Sequence, residues 1–179
     1  MARRFAFLRA INVGGRVVKM DELARVFEAM GFRDVETFIA SGNVIFDTKT
    51  TAAATLERKI EAALRKALGY DVATFVRSGA ELAAVAAREP FPRARLNDAG
   101  AFIVGFLAAP LDAAAERRLM ALRSDIDDFI VDPKEIYWFC RRRQSQSTFS
   151  NAVFEKTAGV KTTFRSMTTV RALAAAYAP

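Results

Sequence analysis

A phosphate-binding loop needs glycines, backbone amides and cations within a few residues of one another, and Leu8–Met20 holds that combination. The stretch reads LRAINVGGRVVKM: an apolar run, Asn12, the pair Gly14-Gly15, then Arg16 and Lys19 ahead of a helical pattern. Amides at a helix start attract anions, and glycine lets backbone approach phosphate oxygens closely. The stretch is neither the dinucleotide fingerprint G-x-G-x-x-G nor the P-loop G-x-x-x-x-G-K-[ST]. Glycine is also what a plain positive-φ turn requires. Two readings therefore stay open. One is an anion site built on Arg9, Asn12, Gly14, Gly15, Arg16 and Lys19; the other is a turn with solvated cations.

Two further stretches carry comparable chemistry. Ala40-Ser41-Gly42-Asn43 reads as a hairpin turn, and Ser41 and Asn43 are also suited to polar contacts with a ligand. Arg141-Arg142-Arg143 runs through Gln144-Ser145-Gln146 to Ser147-Thr148 and Ser150-Asn151. Guanidinium forks match phosphate oxygens, and hydroxyls add hydrogen bonds. The other reading there is a solvated loop with Ser147 or Thr148 as a helix N-cap.

Composition removes whole classes of chemistry. The chain has no histidine and one cysteine, Cys140. Ser-His-Asp and Cys-His catalysis, imidazole metal sites and an internal disulfide framework are excluded. Any enzyme here works with carboxylates, Lys, Arg, Ser, Thr or Tyr, and no carboxylate pair is forced together by spacing. The acidic segment Asp125–Glu135 lacks calcium-loop spacing and its central glycine, so it is expected to be a solvated hairpin. Cys140 is expected to be buried and inert. A net charge of +7 with pI ≈ 10.0 favours anionic partners weakly. Residues 141–171 hold seven basic groups and one acid, Glu155.

The elements that must position these residues follow from periodicity. Strands are expected at Phe5–Ile11, Val35–Ile39, Val44–Phe46 and Val72–Arg77. Helices are expected at Met20–Met30 and Thr51–Leu68, ended by Gly31 and Gly69. Ser78-Gly79-Ala80-Glu81 has the form of a capping box opening a helix to about Ala87. Glu89–Gly100, rich in Pro and turn residues, reads as a linker. The order then recurs, with strands at Ala101–Leu107, Phe129–Val131, Ile136–Cys140 and Lys161–Phe164. Helices accompany them at Asp112–Leu122, Phe149–Thr157 and Met167–Tyr177, the first with Asp112 as N-cap. The expected fold is α+β: two tandem ferredoxin-like (βαββαβ-type) units with a C-terminal helix. The boundaries are 1–88 for the first unit, 89–100 for the linker and 101–179 for the second. The repeat lies in element order and not in residue identity. RNA-recognition modules share this order, but the third strand lacks their aromatic signature. Phe5, Phe7, Tyr137, Trp138 and Phe139 are accordingly expected in the core.

No apolar stretch reaches membrane-spanning length. The N-terminal MARRFAFLRAI is interrupted by Arg9 and reads as part of the fold and not as a signal peptide. The expected location is the cytoplasm.

Ile11-Asn12-Val13-Gly14-Gly15 with Lys19–Leu23, Ser41-Gly42-Asn43-Val44, Glu135–Cys140 and Ser150-Asn151-Ala152-Val153-Phe154 together resemble the bacterial domain-of-unknown-function family 1697. The resemblance runs from about Phe5 to Tyr177. It implies a soluble bacterial α+β protein and brings no established activity. Ala10 stands where the family pattern has glycine, and the loop after Gly15 is about one residue short. Gln146–Asn151 loses an Arg and a Lys of the pattern. Near the C-terminus Arg165 and Thr169 match it, while Ser166, Met167 and Thr168 replace Asn, Trp and Asn.

The function expected is non-enzymatic binding of a phosphate-bearing small molecule, a nucleotide or a nucleic acid, through the residues named above with Ser147, Asn151 and Arg165. The alternatives are a small histidine-independent enzyme, with Lys19 or an Asp as base, and a scaffold for a protein partner. Composition and motifs point to no particular cofactor and no oligomeric state.

Overall fold

The structure, a computed structural model, describes residues 1–178. The first half forms β1 (Ala2–Leu8), α1 (Met20–Ala29), β2 (Arg33–Thr37), β3 (Asn43–Thr48), α2 (Ala53–Leu68) and β4 (Thr74–Ser78). Its four strands pair antiparallel in the order β2-β3-β1-β4. Two short helices follow, α3 (Gly79–Ala87) and α4 (Arg93–Asn97). The second half forms β5 (Ala101–Phe106), α5 (Ala113–Met120), β6 (Asp127–Asp132), β7 (Glu135–Cys140), α6 (Asn151–Ala158), β8 (Thr163–Ser166) and α7 (Met167–Tyr177). Its antiparallel sheet runs β6-β7-β5-β8, the same order with each strand replaced by its counterpart. The fold is α+β, with two ferredoxin-like units and a C-terminal helix.

The chain groups into one unit of residues 1–84 with those from Leu173 onward, and a second of residues 85–172. The segment 89–100, read from sequence as a linker, carries α4 and belongs to the second unit.

Alternation along β1 shows how the first sheet is built. Ala6 and Leu8 join the core under α1 and α2, with Leu23, Phe27, Leu56, Ile60 and Leu64. Phe5 and Phe7 point to the opposite face and are buried as well. Both faces of the sheet are therefore closed, and the strand aromatics are core. In the second unit Ile103, Phe129, Ile136 and Trp138 pack with Leu119, Phe149 and Phe154. Tyr137 and Phe139 are buried on the other face.

Helix carboxylates also bond backbone amides in β4 and just ahead of β8. Glu57 and Glu61 of α2 accept from the amides of Val76 and Thr74 at 2.9 Å each. Glu155 of α6 accepts from Thr162 at 3.1 Å. The correspondence extends to single residues. Arg77 lies opposite Phe5, and Arg165 opposite Val104, at matching places in the two sheets. Ser78 and Ser166 follow them, and each hydroxyl accepts from the amide three residues on, at 3.2 Å. At these positions the repeat is one of residue identity as well as element order.

Several expectations meet a different structure. β1 ends at Leu8 and not Ile11, because Ile11 is buried from within the following loop. α6 starts at Asn151 with Ser150 as N-cap, its hydroxyl accepting from Val153. Ser147 and Thr148 lie upstream of the helix. The segment Asp125–Glu135 is a hairpin, but Asp127 within it is only 4% exposed. It accepts from the indole N–H of Trp138 at 2.8 Å and the Ser147 hydroxyl at 2.6 Å. The capping box at Ser78 forms as expected, with Glu81 accepting from the Ser78 amide at 2.7 Å. Asp112 caps α5 at 2.7 Å.

Candidate functional site

The chain leaving β1 is tied down on two sides. The Leu8 amide donates to the Gly42 carbonyl at 2.8 Å, and the Arg9 amide to that of Ala73 at 2.9 Å. Beyond them φ is positive at Ala10 (58), Asn12 (58), Gly14 (65) and Gly15 (81). Ile11 and Val18 anchor the loop in the core, and Val13–Val17 stand exposed between them. From Ala10 to Gly14 the hand of the backbone alternates, as it does in anion-binding concavities, and Gly15 repeats the hand of Gly14. Gly14 and Gly15 serve this backbone shape alone, since a Cβ on either would meet nothing within 4 Å.

Asn12 holds the loop together. Its side-chain amide donates to the Ala40 carbonyl at 3.0 Å and its oxygen accepts from the Val18 amide at 2.6 Å. Asparagine tolerates the left-handed backbone better than most residues. Both ends of this side chain are thus committed to bridging the loop to the β2–β3 turn. Within that turn the Asn43 amide donates to Phe38 O and Ser41 Oγ, at 2.9 Å each, and Asn43 is fully buried. Ser41 and Asn43 shape the turn; the cations Arg16 and Lys19 beside it are exposed.

Arg16 is placed by an aromatic ring. Its guanidinium carbon lies 4.2 Å from the centroid of Tyr70, a cation–π stack. Lys19 is the N-cap of α1 and makes no side-chain capping bond. Asp21 and Glu22 occupy the first turn of α1 and offset its positive end. The positive charge at this end therefore comes from the side chains of Arg16 and Lys19 more than from the helix terminus.

The eight candidates from Arg9 to Asn43 share this end of the first unit. Ser147 and Asn151 share a separate cleft of ≈ 630 Å³ in the second unit, with Gln144, Ser145 and Ser150. Ser147 donates to Asp127, as above, and accepts from the Phe149 amide at 2.9 Å. Asn151 Oδ1 is buried with no hydrogen-bond partner. Arg165 is 8% exposed, and its guanidinium donates to Thr163 Oγ1 at 2.7 Å and Phe164 O at 2.9 Å. Desolvation lowers its pKa to about 10, which leaves it charged at neutral pH.

Cys140 is fully buried, and burial pushes its thiol pKa up. No group of three or more His, Cys, Asp or Glu able to hold a metal occurs among the described residues. No described helix is long and apolar enough to cross a membrane. A second cleft of the second unit brings together Arg93, Asn97, Gln144 and Arg171. Sequence reasoning had no signal for it, because these residues are scattered over nearly half the chain and share no motif.

A family model described as a protein of unknown function (DUF1697) matches residues 1–137. The chain belongs to this family. The match takes in the β1–α1 loop and the β2–β3 turn, and ends before Ser147, Asn151 and Arg165. Among solved structures, the chain is similar to the conserved bacterial protein SP0830 from Streptococcus pneumoniae. The two are 22% identical over 98% of each chain, with a TM-score of 0.74, a likeness of fold. No curated protein matches the chain.

Proposed function

We propose that this DUF1697 protein binds a phosphate-bearing ligand, a nucleotide or nucleic-acid phosphate, at the β1–α1 loop of its first unit. The observation that carries the reading is the loop itself. A loop with positive φ at Ala10, Asn12, Gly14 and Gly15, pinned at Leu8, Asn12 and Val18, presents an exposed glycine pair beside Arg16 and Lys19. The stack on Tyr70 orders the Arg16 side chain before any ligand arrives, which lowers the entropic cost of binding. Left-handed residues away from glycine persist where surrounding contacts enforce them, and they gather at functional sites. Here Ala10, Asn12 and Ile39 are three such residues at one end of one sheet.

A crystal soaked in sulfate tests the reading. An anion on the amides between Gly14 and Lys19, within reach of Arg16, is the expected result. A loop empty at high sulfate overturns it.

One observation favours a second reading, a protein partner. Val13, Val17 and Ile39 are exposed by 60%, 84% and 53% at this same end. Branched apolar side chains in such positions mark surfaces that other proteins cover. Retention of phosphate binding in a Val17→Ser, Ile39→Ser variant separates the two readings.

A further inference from the structure

The second unit holds a cleft of ≈ 580 Å³ that shares only Gln144 with the cleft at Ser147 and Asn151 and includes none of the residues of the β1–α1 loop. Its volume is that of a small-molecule site. Its walls come from α4, from the start of β5, from the turn at Gln144 and from the first turns of α7. The walls are built and not incidental. Gly100 donates its amide to Cys140 O at 2.9 Å, and a Cβ on it would lie 2.3 Å from the backbone of Arg142. Only glycine lets the two segments close to this distance. The next turn is then fixed by reciprocal bonds between Arg143 and Gln146, at 3.2 and 2.9 Å. The backbone of Gln144 is thereby held at the cleft.

Three of the polar side chains lining this space have no protein partner. Among the described residues, the side chains of Asn97, Gln144 and Thr168 make no hydrogen bond. Arg171 spends only its Nε, on the Ala86 carbonyl at 3.3 Å, and lies 5.7 Å from the ring centroid of Phe102. Thr168 and Arg171 stand three residues apart on α7 and so share one helix face. Glu89 also lines the cleft, but it is paired with Arg93 at 3.0 Å. The lining therefore carries one net positive charge, contributed by Arg171.

Each group matches one part of a nucleotide. A guanidinium next to a hydroxyl suits a phosphate monoester. Carboxamides present a donor and an acceptor together, the pattern that reads the N6 and N7 edge of adenine. A half-buried phenylalanine offers a face for stacking a base. We propose that this cleft binds a purine nucleotide monophosphate, with its phosphate at Arg171 and Thr168 and its base at Asn97, Gln144 and Phe102. The inference is independent of the reading given to the β1–α1 loop. The nucleotide has two sources, free in solution or at the 5′ end of a strand.

Calorimetric titration of the full chain with AMP, ribose 5-phosphate and a 5′-phosphorylated oligoadenylate tests the proposal. The AMP binding that Arg171→Ala removes is expected to be one-to-one and tighter than that of ribose 5-phosphate. Arg171→Ala should weaken AMP by tenfold or more, the scale of one lost charge-assisted contact. Gln144→Ala touches no protein contact of that side chain. It should weaken AMP several-fold while leaving ribose 5-phosphate unchanged. Lys66→Ala, an exposed cation of α2 outside both sites, should leave AMP binding as it was. Oligoadenylate binding more tightly than AMP identifies a strand end, and equal binding identifies the free nucleotide. Absence of AMP binding at millimolar concentration, or equal binding by wild type, Arg171→Ala and Gln144→Ala, overturns the proposal.

Discussion

Ala10 is held at φ 58, a backbone that costs an L residue about 1–2 kcal/mol over the right-handed alternative. The family pattern places glycine there, and the structure supplies the reason: glycine adopts this conformation freely. Ala10→Gly is therefore expected to stabilise the protein by about 0.5–1 kcal/mol, after the greater freedom of glycine in the unfolded chain is counted. Denaturant midpoints measure the change, and an unchanged or lower midpoint contradicts it. Single residues were legible in the sequence where their partners are near in the chain. Ser78 with Glu81, and Asp112 with Ala115, are capping contacts three residues long. Asp127 was read as solvated because its partners, Trp138 and Ser147, are 11 and 20 residues away. Nothing local to a carboxylate announces that the fold will enclose it.

At the scale of elements, the β1–α1 loop and the β2–β3 turn behave as one piece of structure. Gly42 sits where they meet. Its carbonyl receives the Leu8 amide, and a Cβ on it would stand 3.0 Å from Ile11 Cβ and 3.1 Å from Leu8 Cβ. Gly31, at φ 86, has a similar backbone but nothing within 4 Å. Gly31→Ala should cost about 1 kcal/mol, for conformation alone. Gly42→Ala should cost about 1–3 kcal/mol more, because two packed side chains must give way. Equal losses in the two variants would show that the loops are not packed as described. Period and turn residues located all the strands and most helices to within a few residues. The boundary at Ile11 was misplaced because hydrophobicity reports burial and not strand pairing, and Ile11 is buried from a loop. The short helix α4 was missed because it lies in a stretch flanked by Pro92 and Asp98, with no fully buried residue to give it a period.

At the scale of the molecule, two units repeat one sheet order, and the repeat reaches Arg77 and Arg165. The candidate site was legible in part: its glycines and cations are contiguous in the sequence. That Asn12 and Asn43 serve the loop's own architecture depends on Ala40, Val18 and Phe38, partners that no local pattern announces. The net charge of +7 attracts any polyanion, so a test of the site must separate one placed cation from the charge of the whole. Lys66, exposed on α2, provides the control, since Lys66→Ala removes the same charge away from the loop. The decisive measurement is the affinity for pyrophosphate at low and at physiological salt, in wild type, Arg16→Ala and Lys66→Ala. Arg16→Ala is expected to weaken binding tenfold or more at both salt concentrations, one charge-assisted contact being worth about 1.5–3 kcal/mol. Lys66→Ala is expected to stay within about twofold of wild type, the small effect of a distant screened charge. Equal losses in the two variants, or no binding by wild type at low salt, would contradict a phosphate site at the β1–α1 loop.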